Sequence, residues 1–263
     1  MKKLFALCAL LCLLLCGCAA PDVPDDVPNE KPSDQQQQTP DAKPNLEPAP
    51  NPAPTPQHSE FYIDGMAADE VLLYFNEICL DAEISNSGDA TLLQKWDGPI
   101  YYRLHGSCTD KDRSVLTGFV GWLNTVEGFP GMYEASGDGE ANLQIYFCEE
   151  KEMASHLGDW AYGLDGGVTF WYDNDVIYEG IICYRTDIDQ EIRNSVILEE
   201  IYNGLGPVQD TYRRSDSIIY AEFTTPQSLT AVDELLLRLL YHPDLRPGMD
   251  AAQCEAAIRQ LYY

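Results

Sequence analysis

The order of apolar and polar positions divides the chain into elements. From Gly65 to Glu83 the residues Val71, Leu72, Phe75, Ile78 and Cys79 recur every three to four positions, the spacing of a helix with one face on a core. Asp110 to Val126 repeats it with Val115, Leu116, Phe119, Trp122 and Leu123. Short aromatic and β-branched runs predict strands at Pro99–Leu104 and Asn142–Cys148. Gly166 and Gly167 introduce Val168–Tyr172, and Asp173, Asn174 and Asp175 predict a turn into Val176–Arg185, so those two strands should be neighbours. The longest helical pattern is Asp187–Leu205, with Thr186 or Asp187 to cap its start and Gly206 to stop it. Two further helices, Thr230–Tyr241 and Ala251–Tyr262, flank a turn at His242–Met249. Helix, strand, helix, strands and a long helix make an α+β layout: a mixed twisted sheet packed on helices, with a C-terminal helical part.

Before residue 59 the pattern is of another kind. Two lysines precede an apolar run from Leu4 to Cys16, about thirteen residues against the roughly 20 needed to span a bilayer, which predicts a signal peptide. It ends in Leu15, Cys16, Gly17 and Cys18, which resembles the lipobox of bacterial lipoproteins. That resemblance implies that residues 1–17 are removed and that Cys18 becomes the lipidated first residue, carrying more than one acyl chain, as stable attachment requires. Residues 18–58 hold 11 of the chain's 17 prolines and a glutamine run at 35–38, with almost nothing apolar. They are expected to be a disordered tether, about 40 residues of semi-rigid chain reaching on the order of 100 Å. Residues 59–263 remain for one domain.

Charge and cysteines narrow the partners. With 43 acidic against 16 basic residues the formal charge is −27, and no basic cluster offsets it, so nucleic acid and anionic headgroups are poor partners. Five cysteines lie in the domain, Cys79, Cys108, Cys148, Cys183 and Cys254, without the C-x-x-C spacing of a zinc knuckle. One or two disulfides remain open in an oxidising compartment. Their apolar surroundings favour buried free thiols.

The informative segment runs from Ser195 to Tyr220. At about 100° per residue, Ile197, Ile201, Leu205, Leu198 and Tyr202 fall on one arc of about 140°, the core face. Glu199 and Asn203 lie opposite, between Ile192 and Val196. The run from Glu199 to Gly206, then Gln209, Asp210 and the later Ser217–Tyr220, resembles the active-site helix and Met-turn of the metzincin zinc peptidases, whose helix reads H-E-x-x-H-x-x-G-x-x-H. In that frame Glu199, Asn203 and Gln209 occupy the three ligand positions. Glu200 matches the catalytic glutamate and is the candidate catalytic residue, Gly206 matches the turning glycine, Asp210 the aspartate that follows, and Ile219 replaces the methionine. None of the four histidines falls in the frame. One carboxylate and two amides make a poor zinc site, because zinc prefers imidazole and thiolate, so no metal or cofactor is expected. The frame, with the string from Leu236 to Met249, is also similar to a family of secreted bacterial proteins of undescribed function.

The expected protein is therefore a lipoprotein held outside the cytoplasm by lipid on Cys18, with a degenerate metallopeptidase-like domain that binds a peptide or an envelope component. In peptidases of this plan substrate lies as an added strand along the sheet edge, a role the resemblance gives to Val168, Thr169, Phe170, Trp171 and Tyr172. The rival reading is a hydrolase using Glu199 and Glu200 with a recruited hard cation. A third is a structural or assembly partner.

Overall fold

A computed structural model describes residues 3–6, 59–80, 92–137, 139–207 and 209–263, with the side chains of 3–6 left out of the description. The expected cleavage site, Cys18 and the expected tether at 18–58 lie outside the described residues.

Seven strands form one sheet: β1 (Lys3–Ala6), β2 (Lys95–Trp96), β3 (Ile100–Gly106), β4 (Met132–Glu134), β5 (Leu143–Cys148), β6 (Gly166–Asp173) and β7 (Val176–Arg185). Their order is β1-β6-β7-β5-β3-β4, and β2 pairs with the first residues of β7. Strands β2, β3, β4, β5 and β7 run parallel to one another; β6 is antiparallel to β7, and β1 to β6. Among the described residues six α-helices accompany the sheet: α1 (Ala68–Cys79), α2 (Asp110–Leu123), α3 (Glu150–Leu157), α4 (Gln190–Gly204), α5 (Ala231–Tyr241) and α6 (Ala251–Tyr262). Among the described residues no helix is long and apolar enough to cross a membrane.

The β6–β7 hairpin follows from its turn. Asn174 and Asp175 both take positive φ, 49° and 63°, as the two-residue turns that match strand twist require, and these residue types tolerate it. Further along, Trp171 pairs with Glu179 but Tyr172 with Ile177, so Tyr178 is an extra residue in β7. That bulge explains why Ile177 and Ile182, an odd number apart, both enter the main core: one inserted residue exchanges the two faces of the strand. The main core joins this face of the sheet to the helices through Phe75, Ile145, Ile182, Ile201, Leu237 and their neighbours. A smaller cluster of Cys148, Met153, Leu157, Ala161 and Cys183 lies under α3 on the other face.

The predicted elements are present with shifted ends, and the start of α4 differs most. The helix begins at Gln190 after Asp189, not after Thr186 or Asp187. Asp187 instead accepts two bonds from Arg185, at 3.0 and 3.1 Å, and Arg193 donates to the carbonyls of Thr186 and Ile188. Those bonds hold residues 186–188 outside the helix. The first helix is also shorter than its pattern, starting at Ala68 after Gly65 at φ +79°, and its expected end falls at residues 81–91, outside the described ones. The two short strands β2 and β4 and the eight-residue α3 have no counterpart in the sequence reading.

Candidate functional site

Helix α4 is fixed from both ends and from below. At its start the Arg193 guanidinium meets the fully buried Asp112 at 2.8 Å, and Asp112 also accepts from Gln190 and from the Thr109 cap of α2. At its end the last carbonyls would be orphaned in the core, but Trp96 Nε1 donates to Gly204 O (2.9 Å) and Tyr241 Oη to Leu205 O (2.7 Å). In the middle Tyr184 Oη, from β7, donates to Ile197 O at 3.2 Å. Gly206 then turns the chain at φ +133°, where a Cβ would collide with the Gln94 carbonyl. All five residues of the expected core face are buried.

The other side of α4 faces β6. A Cβ on Gly166 would lie 2.9 Å from Glu200 Cγ and 3.0 Å from Glu200 Oε1, and one on Gly204 would lie 3.3 Å from Val168 Cγ2. Gly166 and Val168 are two apart and share a strand face, so the helix runs directly beneath this part of β6. Glu200 is 7% exposed and Asn203 1%. Neither Glu200 Oε2 nor Asn203 Oδ1 has a hydrogen-bond partner among the described residues. Glu199, beside them, is half-buried.

The electrostatics of this group are one-sided. Burial holds the Glu199 and Glu200 carboxyls well above the ordinary range; Asp210 raises both further, and Glu199 also feels Glu200 and Asp165. None of the ion pairs among the described residues includes Glu199 or Glu200. Adjacent helix positions point about 100° apart, yet the charge of Glu200 still raises Glu199.

Asp210 acts on both glutamates through its charge, whereas Gln209 faces elsewhere. Gln209 lines a cleft of about 530 Å³ with Leu73, Asn76, Glu77, Leu80 and Arg213. The segment that follows is held by Thr211, which pairs with Tyr220: Thr211 N donates to Ile219 O at 3.0 Å and Ala221 N to Thr211 O at 2.9 Å. Ser217 Oγ donates to the buried Asp233 at 2.6 Å, and Asp233 also accepts from the Ile218 N–H and from the Thr230 cap of α5. So the turn at 217–220, with Ile219 fully buried, is tied to the stretch that carries Gln209 and Asp210.

The donor set does not fit zinc. The three ligand positions offer a carboxyl and two amides, and the second amide points into a separate cleft. Among the described residues no three His, Cys, Asp or Glu side chains are grouped so as to hold a metal ion. The described histidines serve elsewhere: His105 and His156 stack on Tyr146, at 4.5 and 3.8 Å between ring centres, and His242 meets Phe61 edge-on.

The five residues read as a binding edge all lie on β6, where Val168, Thr169 and Phe170 are buried and Trp171 and Tyr172 are half-buried. The outer side of β6 is paired with β1, in the register Lys3–Tyr172, Leu4–Trp171, Phe5–Phe170 and Ala6–Thr169. Two buried features went unread in the sequence. One is the Asp112–Arg193 pair, of which only the Thr109-to-Asp112 capping spacing is a local signal. The other is Lys95, whose ammonium donates to Leu240 O (2.8 Å) and Leu245 O and whose pKa burial lowers to about 8.

No curated protein matches this sequence. A family model described as "Protein of unknown function (DUF2927)" matches residues 68–260, which take in α1 to α5, most of α6, the strands β2 to β7, and so both Glu200 and the strand β6 above it. The chain therefore belongs to the DUF2927 family, whose function is not described.

Proposed function

We propose that the protein is a surface lipoprotein whose domain is a degenerate relative of the metzincin peptidases and binds an extended peptide as an added strand on β6. The observation that carries this reading is β1. Four residues of extended chain lie antiparallel along the outer side of β6, the strand that also packs on the helix bearing Glu200. Main-chain hydrogen bonds supply affinity in such complexes, and no metal is needed for them. If residues 1–17 leave on maturation, that side of β6 loses its partner, and an unpaired edge is a ready template for another chain.

Support for the peptidase ancestry comes from arrangement. The antiparallel strand β6 lies over the helix in the frame position, Gly206 turns the chain back, and the 217–220 turn is bonded to the segment carrying the third ligand position. The ligand chemistry argues for binding without hydrolysis, since Asn203 and Gln209 cannot supply the basicity of imidazole. The competing hydrolase reading draws on the carboxyls of Glu199 and Glu200, which burial makes hold their protons to higher pH than ordinary carboxyls, as a general acid does.

Hydrogen exchange tests the reading. In the protein extracted from membranes after processing, amides of Thr169–Tyr172 should exchange faster than in the full chain, and slow again when an extended peptide is added. Unchanged exchange at β6 on removing residues 1–17 and on adding peptide would defeat strand addition. Cleavage of the added peptide, abolished by Glu200→Gln, would establish the hydrolase instead.

A further inference from the structure

The strand-addition reading leaves unexplained why Glu200 should lie buried beneath β6 with no ion pair among the described residues. Register gives an answer. In the β1–β6 pairing each partner number and its opposite sum to 175, from Lys3–Tyr172 through Ala6–Thr169. A peptide that continued in this register would place its third residue beyond the Ala6 position opposite Gly166. Residues directly opposite in an antiparallel pair project to the same face of the sheet, about 5 Å apart. At Gly166 that face is the one turned to Glu200, and glycine contributes no side chain of its own there. A side chain from the added strand would therefore project to the face on which Val196 and Glu200 approach Gly166.

We infer that the protein selects an extended peptide with a lysine or arginine opposite Gly166, whose cationic end is received by Glu199, Glu200 and the amide oxygen of Asn203. This deepens the strand-addition reading and depends on it. The acidic group alone would not justify the assignment. The second observation is that Glu200 Oε2 and Asn203 Oδ1, both on side chains more than nine-tenths buried, accept no hydrogen bond among the described residues. Buried acceptors without donors cost free energy unless something fills them. Asn203 Oδ1 is an acceptor, and Glu200 Oε2 is one when its carboxyl is ionised, so the matching group is a donor. Asp210 adds negative potential to both glutamates, so that donor should be positive. An ammonium or guanidinium meets both conditions and carries only donors. A net charge of −27 also favours encounter with cationic partners.

The test uses the protein extracted from membranes in mild detergent, with its N-terminus fixed by intact mass. The probes are fluorescent heptapeptides Lys-Leu-Phe-Ala-Ser-Thr-Xaa, with Xaa lysine, norleucine or glutamate, and binding is read by anisotropy. The lysine peptide should bind about tenfold or more tightly than the norleucine peptide, the gain expected of a hydrogen bond to a charged group, and the glutamate peptide most weakly. The variant carrying Glu199→Gln and Glu200→Gln should still bind the norleucine peptide but lose the preference for lysine. Equal affinity for lysine and norleucine would overturn the inference while leaving strand addition standing. A lysine preference that survives intact in the folded double variant would also overturn it, by placing the charge recognition elsewhere. Absence of binding by all three peptides would defeat strand addition itself. Should the double variant fail to fold, the comparison of the three peptides on the natural protein still decides.

Discussion

Glu200 is the residue at which position and chemistry conflict most. It sits almost wholly out of water, beside Glu199 and within the field of Asp210. A carboxyl whose folded pKa is raised holds its proton more tightly in the folded protein than in the unfolded chain. Its contribution to stability is therefore complete below the ordinary value of 4.5 and is lost as pH rises through the raised value. Glu200→Gln keeps the shape and removes the charge, so its melting temperature should exceed that of the natural protein at pH 7 by a few degrees, with the difference shrinking toward pH 4. About 1 kcal/mol moves the midpoint of a domain this size by ~2–4 °C, and calorimetry at the two pH values reads it. A variant no more stable at pH 7 than at pH 4, relative to the natural protein, would mean that Glu200 already has a compensating partner. Helix periodicity alone placed Glu199 and Asn203 away from the core face and marked Glu200 by its position in a motif. It could not show that Glu200 would be the more enclosed of the two glutamates. Its enclosure comes from Gly166, 34 positions earlier in the chain, and no local pattern announces which strand will cover which helix.

At the scale of elements, α4 depends on an ion pair that the sequence does not announce. Arg193 is almost fully buried and Asp112 entirely so, and together with Gln190 they join the starts of α2 and α4. Arg193→Met would leave Asp112 buried without its partner, at a cost of about 3–5 kcal/mol. Adding Asp112→Leu should recover a large part of that loss, because two apolar side chains can replace a buried pair at little net cost. Urea unfolding of the two single variants and the double variant would show it; additive losses would mean the two residues act separately. The boundary of α4 has the same origin. A run of helical periodicity from Asp187 was legible, but Arg193 and Arg185 draw residues 186–188 into other bonds and delay the first turn. The β6–β7 hairpin was readable from its Asn174 and Asp175 turn because its cause is local. The bulge at Tyr178 was not, since it appears only when the two strands are laid together.

For the whole molecule the expected anchor gives the simplest experiment. Replacing Cys18 with alanine should move the protein from the membrane fraction to the soluble one without changing the domain's melting temperature, and should abolish labelling by a radioactive fatty acid. Continued labelling would show that another residue carries the lipid. The alternation of helices and strands along 59–263 was largely legible, and the sheet with helices against it follows from that order. The sheet's strand order was not, because β2 and β4 are two and three residues long and carry too little pattern to be seen. Nor could the pairing of β1 with β6 be foreseen, as an apolar stretch near the start of a chain has the composition of a leader whatever it touches.

The five domain cysteines are unpaired, four of them buried and Cys108 half-buried. Burial raises every one of these thiols, Cys254 to about 11. Only a thiolate attacks iodoacetamide at a useful rate, so in the folded protein each cysteine is protected twice, by access and by protonation. The set is thus an internal clock of unfolding. In a timed alkylation read by mass spectrometry, Cys108 should acquire its adduct first. The other four should follow together, molecules passing from one adduct to five at the rate at which the core opens. Stepwise gain of two, three and four adducts would instead mean that α3 and its cluster around Cys148 and Cys183 open independently of the main core.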